Sequence, residues 1–470
     1  MFKIDRFKKA ALIFGLDRAI IYTAAARIVQ ALGGVVTILF VARYLSEVEQ
    51  GFYYTFGSIV AIQIFFELGL NGIITQYVAH EASHLQWNND LLDGESKYRS
   101  RLASLLHFSV KWYLWFAFLL FLTLITVGFF FFTRYGPGSG LVYWQAPWLL
   151  LAVATGISLL VSPLMAFIEG LGRVREIARI RLLQQVVVLG IVWAGLLFGG
   201  KLFASGIGNL AGTILLVGII LFGKYRRVLL NIWRETIIEK VHYRREIFPY
   251  QWKIALSWIS GYFIFQLFNP VIFATEGAVV AGQMGMTLAV LNGILSLSLA
   301  WITTKVPLFS GLIARKEYAK LDGIFNSTLK QSAFINFAAL AFLGMIIFLL
   351  KHNDLEIGGR NIGNRFLDYF PLACMMIPIF LNQFVAAWAT YLRCHKQEPF
   401  LINSLVGGIL CSLSTVLLGR YFGVTGVTVG YCMISLSMFP WSYKIYREKK
   451  AEWHAAAPSR ISKNTIRGVS

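Results

Sequence analysis

Charged residues are scarce in this 470-residue sequence. Asp, Glu, Lys and Arg together make up 14% of the chain, whereas hydrophobic residues make up 57%. The mean hydropathy is +0.64. A soluble domain of this length could not bury so much apolar surface in its interior. The composition therefore excludes an ordinary soluble protein and predicts a chain that lies largely inside a membrane.

Acidic residues and cysteines are rarer still. Only 23 Asp and Glu residues oppose 43 Lys and Arg residues, which leaves a net charge of +20. Such a charge could indicate nucleic-acid binding, but the basic residues cluster at the ends of apolar segments, so nucleic acid is not a predicted partner. The four cysteines have neither metal-ligand spacing nor the density of a disulfide framework. They predict small core residues and no metal site.

Long apolar segments occupy most of the chain. A transmembrane helix needs about 20 mainly apolar residues, and twelve segments meet this length. They are roughly 19–43, 52–79, 103–132, 143–168, 177–199, 202–222, 251–274, 277–305, 328–350, 366–392, 400–420 and 423–445. The sequence therefore predicts an all-α polytopic membrane protein with about 12 transmembrane helices.

The basic residues predict which membrane side each loop faces. The longest basic stretch, residues 223–250, lies between the sixth and seventh segments. If the N-terminus is inside and the segments alternate, 35 of the 43 Lys and Arg residues fall inside and seven fall outside, with Arg27 within the first span. Because Lys and Arg are poorly translocated, this asymmetry predicts that both termini are cytoplasmic.

The predicted spans divide the chain into two halves joined by the basic stretch. Residues 1–18 form a basic cytoplasmic amphipathic segment, residues 19–222 an N-lobe with helices 1–6, and residues 223–250 a cytoplasmic linker. Residues 251–446 form a C-lobe with helices 7–12, and residues 447–470 a cytoplasmic tail. The outer loops are all short, so we expect the functional residues in the spans or on the inner loops.

A short pattern opens the last span of both halves. Residues 201–206 and 420–426 each combine a cation, a tight turn and Gly-spaced residues. Because six spans restore the membrane side, the two halves have the same orientation. We interpret them as parallel repeats around a central cavity, although Gly-rich helix packing alone could produce so short a match.

Several polar residues interrupt the spans of the first half. Arg27 lies about 12 Å deep at 1.5 Å per residue, and Gln30 shares its helix face. In the second span Gln63, Glu67 and Asn71 form a stripe with a spacing of four residues. A charge in hydrocarbon costs at least about 2.5 kcal/mol, so we expect these side chains to face a cavity or to pair with each other. Polar packing within the bundle is the alternative.

The second half carries a weaker set of the same kind. Gln266 and Asn269 precede a proline in span seven, Asn292 lies in span eight, and Lys305 closes that span. We include all four in the predicted substrate cavity. Single amides more often form interhelical hydrogen bonds, and a lysine near a span end can extend to the interface, so these remain the alternatives.

One motif suggests a metal site. His80-Glu81-x-x-His84 is an H-E-x-x-H pattern, in which two histidines of one helix could hold zinc while the glutamate activates water. Residues 92–94, Leu-Asp-Gly, follow in the same inner loop. An intramembrane zinc protease would bring its Asp from a distant span. A solvated loop is therefore the favoured interpretation, and the protease remains a distant alternative.

Two further patterns resemble those of a known family. Residues 42–46, Ala-Arg-Tyr-Leu-Ser, are followed by Gly51, and residues 66–70 read Phe-Glu-Leu-Gly-Leu late in span two. With the twelve-span plan and the basic linker, they resemble the polysaccharide flippases of the multidrug/oligosaccharidyl-lipid/polysaccharide (MOP) exporter superfamily. Many members have Leu-Gly where this chain has Leu-Ser, and often Asp at the position of Glu67.

The resemblance implies a fold and a function. It implies two six-helix lobes around a V-shaped cavity that opens alternately to each side of the bacterial inner membrane. It also implies translocation, without enzyme chemistry, of an undecaprenyl-diphosphate-linked oligosaccharide repeat for O-antigen, capsule or exopolysaccharide assembly. Arg27 suits the diphosphate, and Glu67 suits coupling to a proton or sodium gradient, with no other cofactor. A polymerase and a chain-length regulator are the expected protein partners.

Other membrane functions stay open at this point. An ion-coupled multidrug exporter of the same superfamily is the main alternative, and a murein-precursor flippase is a closer one. A major-facilitator transporter would carry a Gly/Asp/Arg-rich loop after span two, which residues 80–102 lack. A polysaccharide polymerase or ligase would carry a large outer loop, and the short outer loops do not fit one.

Overall fold

A computed structural model describes residues 18–88, 91–136, 142–353, 356, 361–395 and 397–455. The predicted amphipathic segment, apart from Arg18, and the tail beyond residue 455 lie outside this described part.

The first half consists of helices and one short hairpin. Helix α1 is Arg18–Tyr44, and the second span comprises α2 (Glu47–Val60), a 3-10 turn (Ala61–Gln63), α3 (Ile64–Glu67) and α4 (Leu70–Ala82). The antiparallel strands β1 (Leu85–Asn88) and β2 (Leu91–Gly94) follow. The remaining helices are α5 (Ser96–Tyr135), α6 (Gln145–Gly170), α7 (Val174–Leu197) and α8 (Phe203–Phe222).

The linker and the second half are also helical. Helix α9 (Tyr225–Arg234) and a π-helical turn (Tyr243–Ile247) lie in the linker. The second half contains α10 (Phe248–Phe265), α11 (Phe268–Glu276), α12 (Ala278–Thr303), α13 (Val306–Ala314), α14 (Tyr318–His352), a 3-10 turn (Gly363–Arg365), α15 (Tyr369–Arg393) and α16 (Leu401–Ala455).

The number of spans agrees with the sequence. Ten helical stretches of the described chain are long and apolar enough to cross a membrane. Helix α1, whose apolar part is Leu32–Tyr44, adds one more. Helix α16 is two spans joined at Gly423, whose φ of 58° interrupts the helix. The predicted all-α fold with about 12 transmembrane helices is therefore confirmed.

Three of the spans are discontinuous, and the sequence explains each break. The second span breaks where Leu68 (φ 48°) and Gly69 (φ 67°) adopt left-handed backbone. The seventh span breaks between α10 and α11, just before Pro270, which has no N–H to donate to the preceding turn. The eighth breaks between α12 and α13, just before Pro307, for the same reason.

The helices form two lobes that meet through a few elements. In the N-lobe α7 packs on α1 and α8, and α6 packs on α5 and α8. In the C-lobe α16 packs on α10 and α15, and α14 packs on α12 and α15. Between the lobes α2 packs on α11 and α12, and α1 packs on α12. The interface is thus built from the first and second spans of each lobe.

The hydrophobic core shows where the lobes join and where they separate. One large cluster contains residues of both lobes, including Phe52 and Phe273. The C-lobe residues nearest its linker end, such as Leu312, Phe325 and Tyr391, form a second and separate cluster. The lobes therefore share one core, which also takes in linker residues such as Val228 and Ile232, and the C-lobe has a second core of its own at the linker face. We call the other end of the bundle the opposite face.

The linker is attached to the N-lobe rather than suspended between lobes. Helix α9 buries its apolar side against the end of the lobe. The chain then runs along α5, where Ser100 Oγ accepts hydrogen bonds from the backbone N–H groups of Ile238 (2.7 Å) and Glu239 (2.8 Å). Further along, Val241 N–H donates to Ser104 Oγ at 3.0 Å. Residues 225–246 thus form part of the N-lobe surface.

Candidate functional site

The helix breaks coincide with polar residues singled out in the sequence. Glu67 is the last residue of α3, Gln266 lies between α10 and α11, and Lys305 lies between α12 and α13. A broken helix leaves backbone carbonyl and N–H groups without intrahelical partners, and such groups can bind ions or substrate at membrane depth. Three of the nine predicted cavity residues therefore lie where a membrane protein can bind a polar ligand.

Glu67 belongs to a hydrogen-bonded cluster inside the N-lobe. Asn71 Nδ2 donates to Glu67 Oε1 at 2.7 Å and to Ser162 Oγ at 3.2 Å. The hydroxyl of Tyr113 donates to Asn71 Oδ1 at 2.9 Å. These four side chains come from the broken second span, α5 and α6, and we call them the Glu67 cluster. Asn71 is thereby held in the orientation that presents its amide N–H to the carboxylate.

A basic residue that was not among the predicted site residues lies near this cluster. Arg181, on α7, is close enough to attract the Glu67 carboxylate electrostatically. Its guanidinium Nη2 donates to Glu169 Oε2 at 2.7 Å, and about half of its side chain is exposed. Its position inside the predicted apolar segment 177–199 was the sequence signal that could have identified it, because a loop residue would precede that segment.

The other N-lobe candidates are less constrained. Gln30 is exposed on α1, and Gln63 is half-buried in the 3-10 turn. Neither hydrogen-bonds to another residue within the described chain. Arg27 lies on α1, but its side chain is outside the part of the molecule that is described. The predicted pairing of Arg27 with Glu67 therefore stays a prediction.

The C-lobe candidates occupy two kinds of environment. Asn269 is buried in the contact between lobes, where its Nδ2 donates to Ser58 Oγ of α2 at 3.2 Å. Gln266 and Asn292 are half-buried. Lys305 Nζ donates to Thr328 Oγ1 of α14 at 2.8 Å. Asn269 thus links the lobes, whereas Lys305 ties the break in span eight to the next helix.

The lobes are locked together near the opposite face by a buried arginine. Arg365 is 3% exposed, and it donates from Nη2 to the Leu45 carbonyl (2.9 Å) and from Nη1 to Gln50 Oε1 (3.1 Å). Gln50 Nε2 donates in turn to the carbonyls of Gly282 (2.8 Å) and Arg365 (3.2 Å). We call these four residues the interlobe seal. In the sequence Arg365 lies in a predicted outer loop, and nothing near it in the chain indicates this role.

Glycines allow the helices of the seal to touch. A Cβ atom on Gly51 of α2 would lie 1.9 Å from the Ala278 carbonyl oxygen of α12. A Cβ on Gly282 would lie 2.9 Å from the Gly51 nitrogen. Phe52 adds an edge-to-face contact with Phe273 at a ring-centroid distance of 5.0 Å. The opposite face is therefore closed by backbone contact, hydrogen bonds and aromatic packing.

The H-E-x-x-H residues have structural partners. Glu81 is buried and accepts a hydrogen bond from Arg101 Nε at 2.9 Å, and the His84 ring stacks on Tyr98 at 4.1 Å. Arg101 Nη2 donates to Glu246 Oε2 at 2.7 Å. No group of three metal-ligating side chains occurs among the residues that the structure describes. This geometry does not fit zinc; it ties the end of α4 to the linker.

The charge of Glu246 reflects these contacts. Burial alone would raise its pKa, but the hydrogen bond from His242 N–H and the pairing with Arg101 lower the pKa below its ordinary value. Glu246 is therefore ionised in the folded protein at neutral pH, which keeps the contact between Arg101 and the linker charged.

The overall fold is similar to that of solved transporters. An inward-facing multidrug resistance transporter of the MATE family and MOP superfamily matches with a TM-score of 0.58 and 12% identity, over 91% of this chain and 99% of that chain. Lipid II flippase MurJ, in an inward closed conformation, matches with a TM-score of 0.53 and 13% identity over 95% and 94%.

A third solved structure is also similar. A MOP superfamily transporter from Pyrococcus furiosus has a TM-score of 0.51 and 14% identity, over 92% of this chain and 95% of that chain. No protein-family model matches the chain, and no curated protein matches it. At these identities the similarity shows the fold alone.

Proposed function

We propose that this protein is a flippase that moves an undecaprenyl-diphosphate-linked oligosaccharide across the bacterial inner membrane by alternating access. The product would supply O-antigen, capsule or exopolysaccharide assembly. The MOP-type fold supports a flippase or an exporter, and the resemblance of residues 42–51 and 66–70 to polysaccharide flippases supports the finer assignment.

One observation supports transport most directly. The lobes are sealed at the opposite face, whereas the C-lobe has its own core at the linker face, and the Glu67 cluster lies at a helix break between these ends. The distribution of Lys and Arg supports a cytoplasmic linker face. A cargo headgroup would therefore enter from the cytoplasm while its lipid tail remains in the bilayer.

The chain's own residues suggest how the cycle would run. Glu67 would bind a proton or sodium ion, because it is the acidic residue at the broken second span and Asn71 holds one of its oxygens. Arg27 would attract the diphosphate of the cargo. Opening the seal would release the headgroup outward, and polymerase and chain-length regulator would act on it there. No covalent step is needed.

The direct test uses Arg27→Ala. We expect loss of lipid-linked sugar transport, measured in proteoliposomes that carry an undecaprenyl-diphosphate oligosaccharide, because the diphosphate would lose its cationic partner. Arg43→Ala is a suitable control, because Arg43 is also on α1 but exposed at its end. Unaltered transport by Arg27→Ala would remove Arg27 from the site.

Transport measurements combined with a gene deletion distinguish the flippase from the multidrug exporter. A flippase moves the lipid-linked sugar, and its deletion abolishes surface polysaccharide without changing drug sensitivity. Ion-coupled efflux of cationic drugs with intact surface polysaccharide would instead favour the exporter, whose fold the chain also shares.

A further inference from the structure

The acidic and basic residues of the linker have different partners. The sequence contains three glutamates among its many bases, which suggests internal neutralisation. In the structure each glutamate pairs with a basic residue at the start of α5 instead. The pairs are Glu235–Arg99 (3.4 Å), Glu239–Lys97 (3.8 Å) and Glu246–Arg101 (2.7 Å). The linker acids therefore leave the linker bases uncompensated.

Six exposed bases of the linker form no ion pair with any residue of the described chain. They are Arg226, Arg227, Arg234, Lys240, Arg244 and Arg245, which we call the linker cations. Lys224 differs, because its Nζ lies 2.8 Å from Glu176 Oε2. The result is a positively charged surface on the linker face, and such a surface attracts anions.

The fold holds the linker cations outward. Helix α9 buries Tyr225, Val228 and Ile232 against the N-lobe, so its other side, with Arg226 and Arg227, faces away from the protein. Hydrogen bonds from linker backbone N–H groups to Ser100 and Ser104 fix the segment that follows. The cations are thus presented on a rigid surface and not on a free loop.

Large apolar side chains accompany the cations at the ends of two spans and in the linker between them. Phe222, which ends α8, is 89% exposed, and Ile238 is 71% exposed. Phe248 and Trp252, which begin α10 next to Arg244 and Arg245, are 48% and 42% exposed. A lipid interface typically combines two kinds of side chain. Apolar and aromatic groups insert at the level where the acyl chains begin, and neighbouring cations contact the lipid phosphates. Nucleic acid would leave these apolar groups in water.

We propose that the linker cations bind the phosphates of anionic phospholipids in the leaflet that the linker face contacts. This surface is separate from the Glu67 cluster, and the inference holds whatever the cargo is. Because residues 225–246 are part of the N-lobe, bound headgroups would anchor that lobe to the leaflet while the C-lobe moves against it.

The test measures phospholipid retention by the full-length protein. The variant Arg226→Gln/Arg227→Gln/Arg244→Gln/Arg245→Gln is purified from mixed phosphatidylglycerol and phosphatidylethanolamine, and retained lipids are quantified by native mass spectrometry. We expect the enrichment of phosphatidylglycerol to fall at least about fivefold, since each lost base weakens attraction to an anionic surface. Raising salt should lower the enrichment of the wild type in the same direction.

A matched control removes four bases that each form an ion pair with a neighbouring glutamate, Arg315 and Lys320 with the same one. It is Arg315→Gln/Lys320→Gln/Lys444→Gln/Lys449→Gln, and we expect it to keep the wild-type enrichment. If the linker quadruple variant does not fold, its two pairs of substitutions are measured separately. Unchanged enrichment in the linker variants, or an equal loss in the control, would overturn the proposal. One-for-one displacement of phosphatidylglycerol by an undecaprenyl diphosphate would also overturn the proposal, because it would indicate a cargo site.

Discussion

At the scale of single residues, Glu67 shows how a membrane protein keeps an acidic group within a span. A carboxylate there is costly, and hydrogen-bond donors offset part of that cost. Asn71 supplies one donor, and Tyr113 and Ser162 hold Asn71 in place. Glu67 is half-buried. The cluster therefore holds the Glu67 side chain in place without enclosing it fully.

The Glu67→Gln variant tests whether this charge couples transport to an ion gradient. The amide keeps the shape of the side chain and removes its charge, so we expect normal insertion but at least about tenfold slower gradient-driven transport, equivalent to about 1.4 kcal/mol. The measurement is uptake in proteoliposomes with and without an imposed proton or sodium gradient.

Two comparisons sharpen that experiment. Tyr113→Phe removes only the donor to Asn71, so it should reduce coupling less than Glu67→Gln does. Glu448→Gln changes an exposed acid on the last helix and should leave transport unaltered. Gradient dependence that survives in Glu67→Gln would assign coupling to a different group.

At the scale of elements, the second span consists of two parts with different surroundings, because a glycine contact holds its first part and a break precedes its last part. Its first part, α2, is pressed against α12 at Gly51, and its last part, α4, begins after the left-handed pair Leu68–Gly69. A continuous helix would transmit any movement of α4 directly to α2. The break lets the two parts reorient separately, as the proposed alternating access would require.

Gly51→Ala is predicted to weaken the interlobe seal. The added methyl would overlap the Ala278 carbonyl, so α2 and α12 must separate. We expect faster alkylation of a reporter cysteine, Asn269→Cys, by a reagent applied from the opposite face, because residue 269 is buried between the lobes.

Gly57→Ala is the matched control on the same helix. Nothing lies within 4 Å of a Cβ at Gly57, and alanine is favoured over glycine in a helix by about 1 kcal/mol. This variant should therefore keep the slow alkylation rate and be at least as stable as the wild type. Equal rates in the two variants would show that the contact at Gly51 does not close the opposite face.

At the scale of the whole molecule, the protein is two lobes with one shared core and one separate core. The joined end contains Arg365, Gln50 and the aromatic contact of Phe52 with Phe273. The C-lobe core at the linker face contacts only its own lobe. Such an asymmetric distribution of contacts allows the lobes to pivot, because one interface can form as the other breaks.

Cross-linking the joined end should stop the cycle. In a variant without native cysteines, Ser58→Cys and Asn269→Cys replace side chains that hydrogen-bond across the lobes. A short, reducible thiol cross-linker should abolish transport, and reduction should restore it. The control pair Asn403→Cys/Ser442→Cys lies within the C-lobe and should transport in both states. Full transport while the interlobe pair is linked would rule out opening at the opposite face.

Several features were predictable from the sequence because they depend on neighbouring residues only. Runs of apolar side chains are sufficient to predict the spans, since about 20 of them must cover the hydrocarbon. Pro270 and Pro307 indicate weak points in two spans. Glu67 could be singled out because a carboxylate in such a run is rarely retained without a role. Each of these signals is local in the chain.

Other features were decided by the tertiary structure alone. Arg365 looks like one more charge of an outer loop, and it becomes the centre of the seal because the fold brings it to Gln50, 315 residues earlier. The linker glutamates appear to neutralise adjacent arginines, yet they pair with α5. Composition and order determined that this chain spans the membrane about twelve times. Which charges are buried, paired or left exposed depends on distances between remote residues, and only the packed lobes set those distances.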